Sequence, residues 1–304
     1  LEFAAMPDFD AQTTRFSAKN ALLLARLSAA AYSDEAEAES ITIGELKFTA
    51  FRWIDLSKHF NEDVFAIAAG CAEFAVIAFR GTKDVKNWMS DLYATPVSFP
   101  WLFESGPDVG DIHAGFGHAT RDAWGEITSA MEAVLPPPGV AADIKGLSTT
   151  TQPTLWLTGH SLGAALAVLT GAAFSMWAPA TMRPVNGLYT FGQPRVGLYR
   201  FCGNYDNLLN NRTFRFVNKE DLVPRVPFRG WDYADIGRMI HFTSSGEPKL
   251  ESPEWTNFLS RTLQSLRDFE SIIGNIHTDV GDHSMDGYAA VVEAQAAALS
   301  ALPL

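Results

Sequence analysis

Residues 155–174 read LWLTGHSLGAALAVLTGAAF. The run from Pro153 to Gly159 is apolar without alternation, as expected of a short strand buried on both faces. Gly159-His160-Ser161-Leu162-Gly163 breaks that run, and residues 162–177 continue as a small-residue apolar helix that stops before Pro179. A serine between a buried strand and a buried helix matches G-x-S-x-G in the context that motif needs. The two glycines have a steric purpose there. A nucleophile at such a turn occupies strained backbone, and the following helix must pass close to the strand. The same turn aims the Leu162 N–H at any oxyanion formed beside Ser161. On the pentapeptide alone, a structural serine in a glycine-rich turn is an equal reading. The flanking strand and Ala164-Ala165-Leu166-Ala167 favour the nucleophile.

Working outward, residues 46–54, 63–70 and 73–81 read as strands, the last two joined by a tight turn near Gly70. Phe16, Leu23, Leu27 and Ala30 recur at helical spacing and predict an amphipathic first helix rather than a leader, because Arg26 interrupts its apolar run. Residues 115–135 predict one helix ended by Pro136-Pro137-Pro138. Residues 185–197 and 212–224 each hold a strand and a turn, and 238–246 another strand. Residues 255–273 and 285–302 predict helices. Strands alternating with helices from residue 115 onward imply a mostly parallel sheet covered on both faces, made mixed by the early hairpin. In such a sheet, reactive groups gather at the carboxyl ends of the strands.

Composition narrows the function. The 304 residues are 47% hydrophobic and 19% charged, with a formal net charge of −12 and no basic run. Nucleic acid is therefore excluded as a partner, and a strongly anionic bilayer is repelled over a Debye length. No apolar stretch reaches the roughly 20 residues of a membrane span, so no stable membrane insertion is expected. Cys71 and Cys202 are the only cysteines. They suggest buried free thiols rather than a disulfide framework or a zinc site.

Several motifs in one order resemble the class 3, fungal-type triacylglycerol lipases. They are Phe79-Arg80-Gly81-Thr82, Asn87-Trp88 with Asp91-Leu92, His113-Ala114-Gly115-Phe116, the serine elbow, Thr190-Phe191-Gly192-Gln193-Pro194-Arg195-Val196-Gly197, Asn218-Lys219-Glu220-Asp221-Leu222-Val223-Pro224, and His283. Each is weakly specific alone. The ordered set implies an α/β-hydrolase fold: a mostly parallel central sheet, helices on both faces and a helical lid. Leu1-Glu2-Phe3-Ala4-Ala5 ahead of Met6 reads as a cloning remnant, and residues 6–304 are expected to form one domain.

A serine hydroxyl needs a base, and seven histidines are available. His283, after the elbow and just before a helix, matches both the Ser–Asp–His chain order and the family's base; His277 is its nearest substitute. His160 is expected to face away from the reaction as a structural residue, and His113 to support the site. His59, His118 and His241 have no motif behind them. Asp221 closes the segment FRFVNKED and stands where the family's acid stands, with Glu220 as its rival. Asp282 reads as a residue leading into the helix. The resemblance makes Thr82 the second oxyanion donor, through its N–H and hydroxyl, with Asp91 orienting that hydroxyl.

Over 83–95, Val85, Trp88, Met89 and Leu92 fall at i, i+3, i+4 and i+7, one apolar face of a short helix. An aromatic-rich loop follows from Pro96 to Pro107. Core packing would explain such a stripe, but the resembling lipases carry a lid at this place, which opens at a transient lipid–water interface. The implied activity is carboxylic-ester hydrolysis, most directly of acylglycerols, with no metal and no organic cofactor. Phospholipase A1, feruloyl-esterase and short-chain esterase activities would use the same groups. A catalytically silent lipid-binding protein of the same fold is the reading from another class. Secretion is usual among the resembling lipases, but the fungal members carry more cysteines. Two cysteines suggest a bacterial-type member or a cytoplasmic setting.

Overall fold

Side-chain alternation shows how the sheet divides the core. The computed structural model describes residues 7–59, 64–82, 96–99, 108–135, 152–176, 185–250 and 281–304. Strand β3 (Phe74–Phe79) is buried along its whole length. Ala75, Ile77 and Phe79 join one apolar cluster, whereas Phe74, Val76 and Ala78 join a second on the opposite face. The same split occurs in β2 (Phe65–Gly70), between Ala66 and Ala68 on one side and Ile67 and Ala69 on the other. A strand covered twice has no polar face to show, which explains the unbroken apolar runs of the sequence.

The large sheet has eight strands in the order β1-β2-β3-β6-β7-β9-β11-β12. Here β1 is Ala50–Asp55, β6 Thr154–His160, β7 Val185–Phe191, β9 Thr213–Asn218, β11 Arg238–Phe242 and β12 Pro248–Lys249. The strands from β3 to β11 run parallel, and antiparallel β1, β2 and β12 lie at the edges. On one face lie α3 (Ala114–Asp122), α4 (Trp124–Val134), α5 (Leu162–Met176) and α6 (Tyr199–Leu209), which line the first cluster. The second face is covered by α1 (Ala18–Ala30), α7 (Met285–Ala294) and α8 (Ala296–Ser300). A short α2 (Glu35–Glu39) leads into one π-helical turn.

Several expectations are corrected. The single helix read over 115–135 is α3 and α4, divided at Ala123, and that over 285–302 is α7 and α8, divided at Gln295 with φ −105° and ψ 15°. Apolar spacing persists across a one-residue break, so periodicity cannot register it. Pro96–Ser98, read as loop, is strand β4 of a second small sheet, with β5 (Asp111–His113), β8 (Gly197–Leu198) and β10 (Tyr233–Ala234). Phe99 beside it is fully buried against Phe201, so this part of the aromatic stretch is core. Strands of two or three residues carry too few alternations to be legible. The predicted helix over 255–273, the lid helix over 83–95 and His277 lie outside the described residues. Both cysteines are buried and form no disulfide, and among the described residues no helix is long and apolar enough to cross a membrane.

Candidate active site

Parallel register brings the chosen residues to one edge. Phe79 pairs with Gly159, His160 with Phe191, and Phe191 with Phe216. The carboxyl ends of β3, β6, β7 and β9 therefore emit Arg80-Gly81-Thr82, Ser161, Gly192 and Lys219-Glu220-Asp221 side by side.

Ser161 is fully buried, with φ at +56°, in the left-handed region that costs a β-carbon residue energy. Its N–H is held by the Phe191 carbonyl at 3.0 Å, and its own carbonyl accepts the first helical bond, from Ala164 at 3.0 Å. The flanking glycines answer the steric need read from the sequence. A Cβ on Gly159 would stand 2.5 Å from the Gly163 carbonyl oxygen, and one on Gly163 would collide with the Phe79 carbonyl. Leu162 opens α5, so its N–H has no intrahelical acceptor. Gly81 approaches so closely that a Cβ there would lie 2.8 Å from Ser161 Cβ. Thr82 is the next residue and is itself buried.

His283 and Asp221 meet across the sheet edge. His283 Nδ1 lies 2.8 Å from Asp221 Oδ2, with both side chains buried. The Tyr288 hydroxyl also donates to Oδ2, at 2.6 Å, and the Val223 N–H donates to Oδ1 at 2.9 Å. A carboxylate held by three donors is fixed in its orientation. The Tyr288 hydroxyl accepts in turn from the Asn218 N–H at 3.0 Å. Burial, reinforced by Asp221, pushes its pKa well above that of an ordinary phenol, so it remains a donor. With Asp221 accepting from Nδ1, the proton resides there and Nε2 presents its lone pair. No described residue hydrogen-bonds to His283 Nε2 or to Ser161 Oγ, although both atoms are buried. Catalytic hydrogen bonds are often unmade until a substrate arrives.

The remaining candidates separate cleanly. Glu220 is exposed, whereas Asp221 is 1% exposed. Asp282 stands 3.5 Å from Lys219 Nζ, and its carbonyl accepts from Asn218 Nδ2 at 3.1 Å. His113 caps α3 through the Phe116 N–H and stacks on Phe116 with ring centroids 4.2 Å apart. His59 sits 3.4 Å from Glu126, and His241 bonds the Lys219 carbonyl at 2.8 Å. His160 is buried, and burial followed by the proximity of His283 holds its pKa well below the usual imidazole value. Asp91 and the lid residues Val85, Trp88, Met89 and Leu92 lie outside the described residues.

Three site residues escaped the sequence reading. Tyr288, in α7, is five residues beyond His283, and Tyr32 follows the end of the distant α1. Gly192, with φ +59°, leaves the room in which His283 sits: a Cβ would stand 2.8 Å from His283 Cε1 and 3.0 Å from Asp221 Oδ2. A glycine directly after a buried strand was the available signal for the last.

Residues 76–231, a little over half of the chain, match the family described as Lipase (class 3). The lipase of Rhizomucor miehei is 30% identical over 218 residues, 71% of this chain and 53% of the relative. Phospholipase A1-II 1 of Oryza sativa subsp. indica is 29% identical over 183 residues, 59% and 45% of the respective chains. The solved structure of Rhizomucor miehei triacylglyceride lipase superposes with a TM-score of 0.54 at 24% identity, covering 79% of this chain and 88% of that one. The chain thus spans about half the length of the curated relatives it matches.

Proposed function

This chain belongs to the class 3 lipase family and has the α/β-hydrolase fold, and from that premise we propose that it is a carboxylic-ester hydrolase acting on triacylglycerols. Ser161 Oγ attacks the ester carbonyl while His283 Nε2 takes its proton. Asp221 fixes the imidazole tautomer and stabilises the imidazolium that forms. The Leu162 N–H and Thr82 receive the negative charge of the tetrahedral intermediate, with Asp91 orienting the Thr82 hydroxyl. His283 then protonates the departing alcohol, and the acyl group remains on Ser161. Water, activated by the same base, releases the fatty acid.

The observation that carries this reading is the buried His283–Asp221 pair at the sheet edge where β6 ends in a serine at φ +56°. The pair spends Nδ1 on the carboxylate and leaves Nε2 for the nucleophile. The substrate follows from charge and pattern. A net charge of −12 favours a neutral lipid over an anionic one, and the helical spacing of Val85, Trp88, Met89 and Leu92 in the sequence is what a cover opening onto lipid would need. Likeness to a phospholipase A1 supplies a second reading, in which the same triad cleaves a phospholipid ester.

Hydrolysis of emulsified tributyrin, emulsified long-chain triglyceride and zwitterionic phospholipid tests both readings. Triglyceride turnover should exceed phospholipid turnover and rise sharply once tributyrin passes its solubility limit. Ser161→Ala should abolish all of it without loss of fold. Preferential phospholipid cleavage would transfer the assignment to the second reading. Full activity in Ser161→Ala would remove the triad.

A further inference from the structure

His160, expected to be structural, makes two directed hydrogen bonds. Its Nε2 lies 2.6 Å from the main-chain carbonyl oxygen of His283, and its Nδ1 lies 2.6 Å from the Tyr32 hydroxyl. A carbonyl oxygen only accepts, so His160 Nε2 carries a proton, and because burial keeps the ring neutral its Nδ1 is a bare acceptor. Tyr32 must then donate to His160. The Tyr32 oxygen in turn accepts from the Gly81 N–H at 3.1 Å. The chain runs one way: Gly81 N–H to Tyr32, Tyr32 O–H to His160, His160 N–H to the His283 carbonyl.

Its two ends are the informative part. Gly81 immediately precedes Thr82 on the loop assigned to the oxyanion, and His283 is the assigned base. Ser161 is next in sequence to His160, and a Cβ on Gly81 would lie 2.8 Å from Ser161 Cβ. The strut is also held from its sides. The Arg80 guanidinium lies 5.4 Å from the Tyr32 ring centroid and 5.1 Å from that of Phe65. The His160 and His283 rings lie 4.6 Å apart. At that distance a charged His160 would oppose the imidazolium that catalysis requires, and burial keeps His160 neutral.

We propose that Tyr32 and His160 are positioning residues for ester hydrolysis, forming a neutral, directional strut that fixes the oxyanion loop and the base's main chain relative to each other around Ser161. This rests on the hydrolase reading above. A packing role alone would stabilise the fold without regard to the transition state. A strut spanning the two loops acts on kcat, because oxyanion and imidazolium develop together.

The test uses the full chain with soluble p-nitrophenyl butyrate. Tyr32→Phe removes one oxygen and leaves the ring in place. It should lower kcat about tenfold, the order expected for loss of a buried hydrogen bond in the transition state, and leave KM within about twofold. In the wild-type protein, imidazole nitrogen NMR should show His160 neutral and protonated on Nε2 at pH 7. A folded Tyr32→Phe variant with unchanged kcat would overturn the proposal. So would a His160 that is cationic or protonated on Nδ1, and that measurement stands even where the variant does not fold. Labelling of wild-type Ser161 by a fluorophosphonate separates the failures. Without labelling the hydrolase reading falls; with labelling and a fully active Tyr32→Phe, the strut alone falls.

Discussion

Asp221 and Glu220 are neighbours of the same charge, and the protein distinguishes them by which side of the turn faces inward. Asp221 receives Nδ1 of His283, the Tyr288 hydroxyl and the Val223 N–H; Glu220 is exposed. Asp221→Asn would offer His283 an amide and admit the wrong tautomer, lowering kcat by about four orders of magnitude, whereas Glu220→Gln should stay within about twofold. Steady-state kinetics on p-nitrophenyl butyrate would check both, and the reverse pattern would reassign the acid. Ser161, Asp221 and His283 could be nominated from the sequence because each follows a strand or precedes a helix in a recognisable order. Tyr288 could not, because its hydrogen bond to Asp221 crosses 67 residues of sequence. His160 was read only as a structural residue facing away from the reaction, and its bond to the His283 carbonyl depends on where the base's loop lies in space.

Among the elements, the turns after β7 and β9 must hold their shape for Gly192 and Asp221 to meet His283. Behind them sits Asp235, with Arg195 Nε at 3.0 Å, Arg215 Nη1 at 3.6 Å and Arg229 as a third partner. Burial alone would raise the Asp235 pKa, but the guanidiniums of Arg215, Arg195 and Arg229 outweigh it and hold the carboxyl well below the usual range. A carboxyl depressed on folding contributes stability at pH values above its unfolded pKa and loses it as pH falls through the folded value. The contribution is therefore complete at neutral pH and declines below about pH 4. Asp235→Asn strands three guanidiniums, two of them nearly inaccessible. Denaturant unfolding at pH 7 should show a loss of about 3 kcal/mol, and the variant should lose less of its remaining stability on acidification than wild type does. An equal loss at both pH values would contradict the network. Nothing in the spacing of these charges announced it, because the partners come from separate strands and turns.

Across the whole molecule, the sequence disclosed what repeats and concealed what does not. The alternation of strands with helices from residue 115 onward implied a sheet covered on both faces, and the structure divides the side chains of Phe65–Gly70, Phe74–Phe79 and Thr154–His160 between two cores. The small sheet of β4, β5, β8 and β10 stayed invisible because it is assembled from pieces of two and three residues. Its consequence is architectural: Pro96–Ser98 is tied by pairing to Asp111–His113, so the chain leaving the proposed lid is anchored where a free loop was expected. The large sheet, by contrast, converges four strand ends on one buried serine. Reaction of the intact protein with a fluorophosphonate, followed by peptide mapping, addresses that convergence most directly. A single stoichiometric adduct on Ser161 is expected, formed in step with loss of esterase activity and strongly slowed in His283→Ala. An unlabelled Ser161, or an adduct elsewhere accompanying the loss of activity, would contradict it.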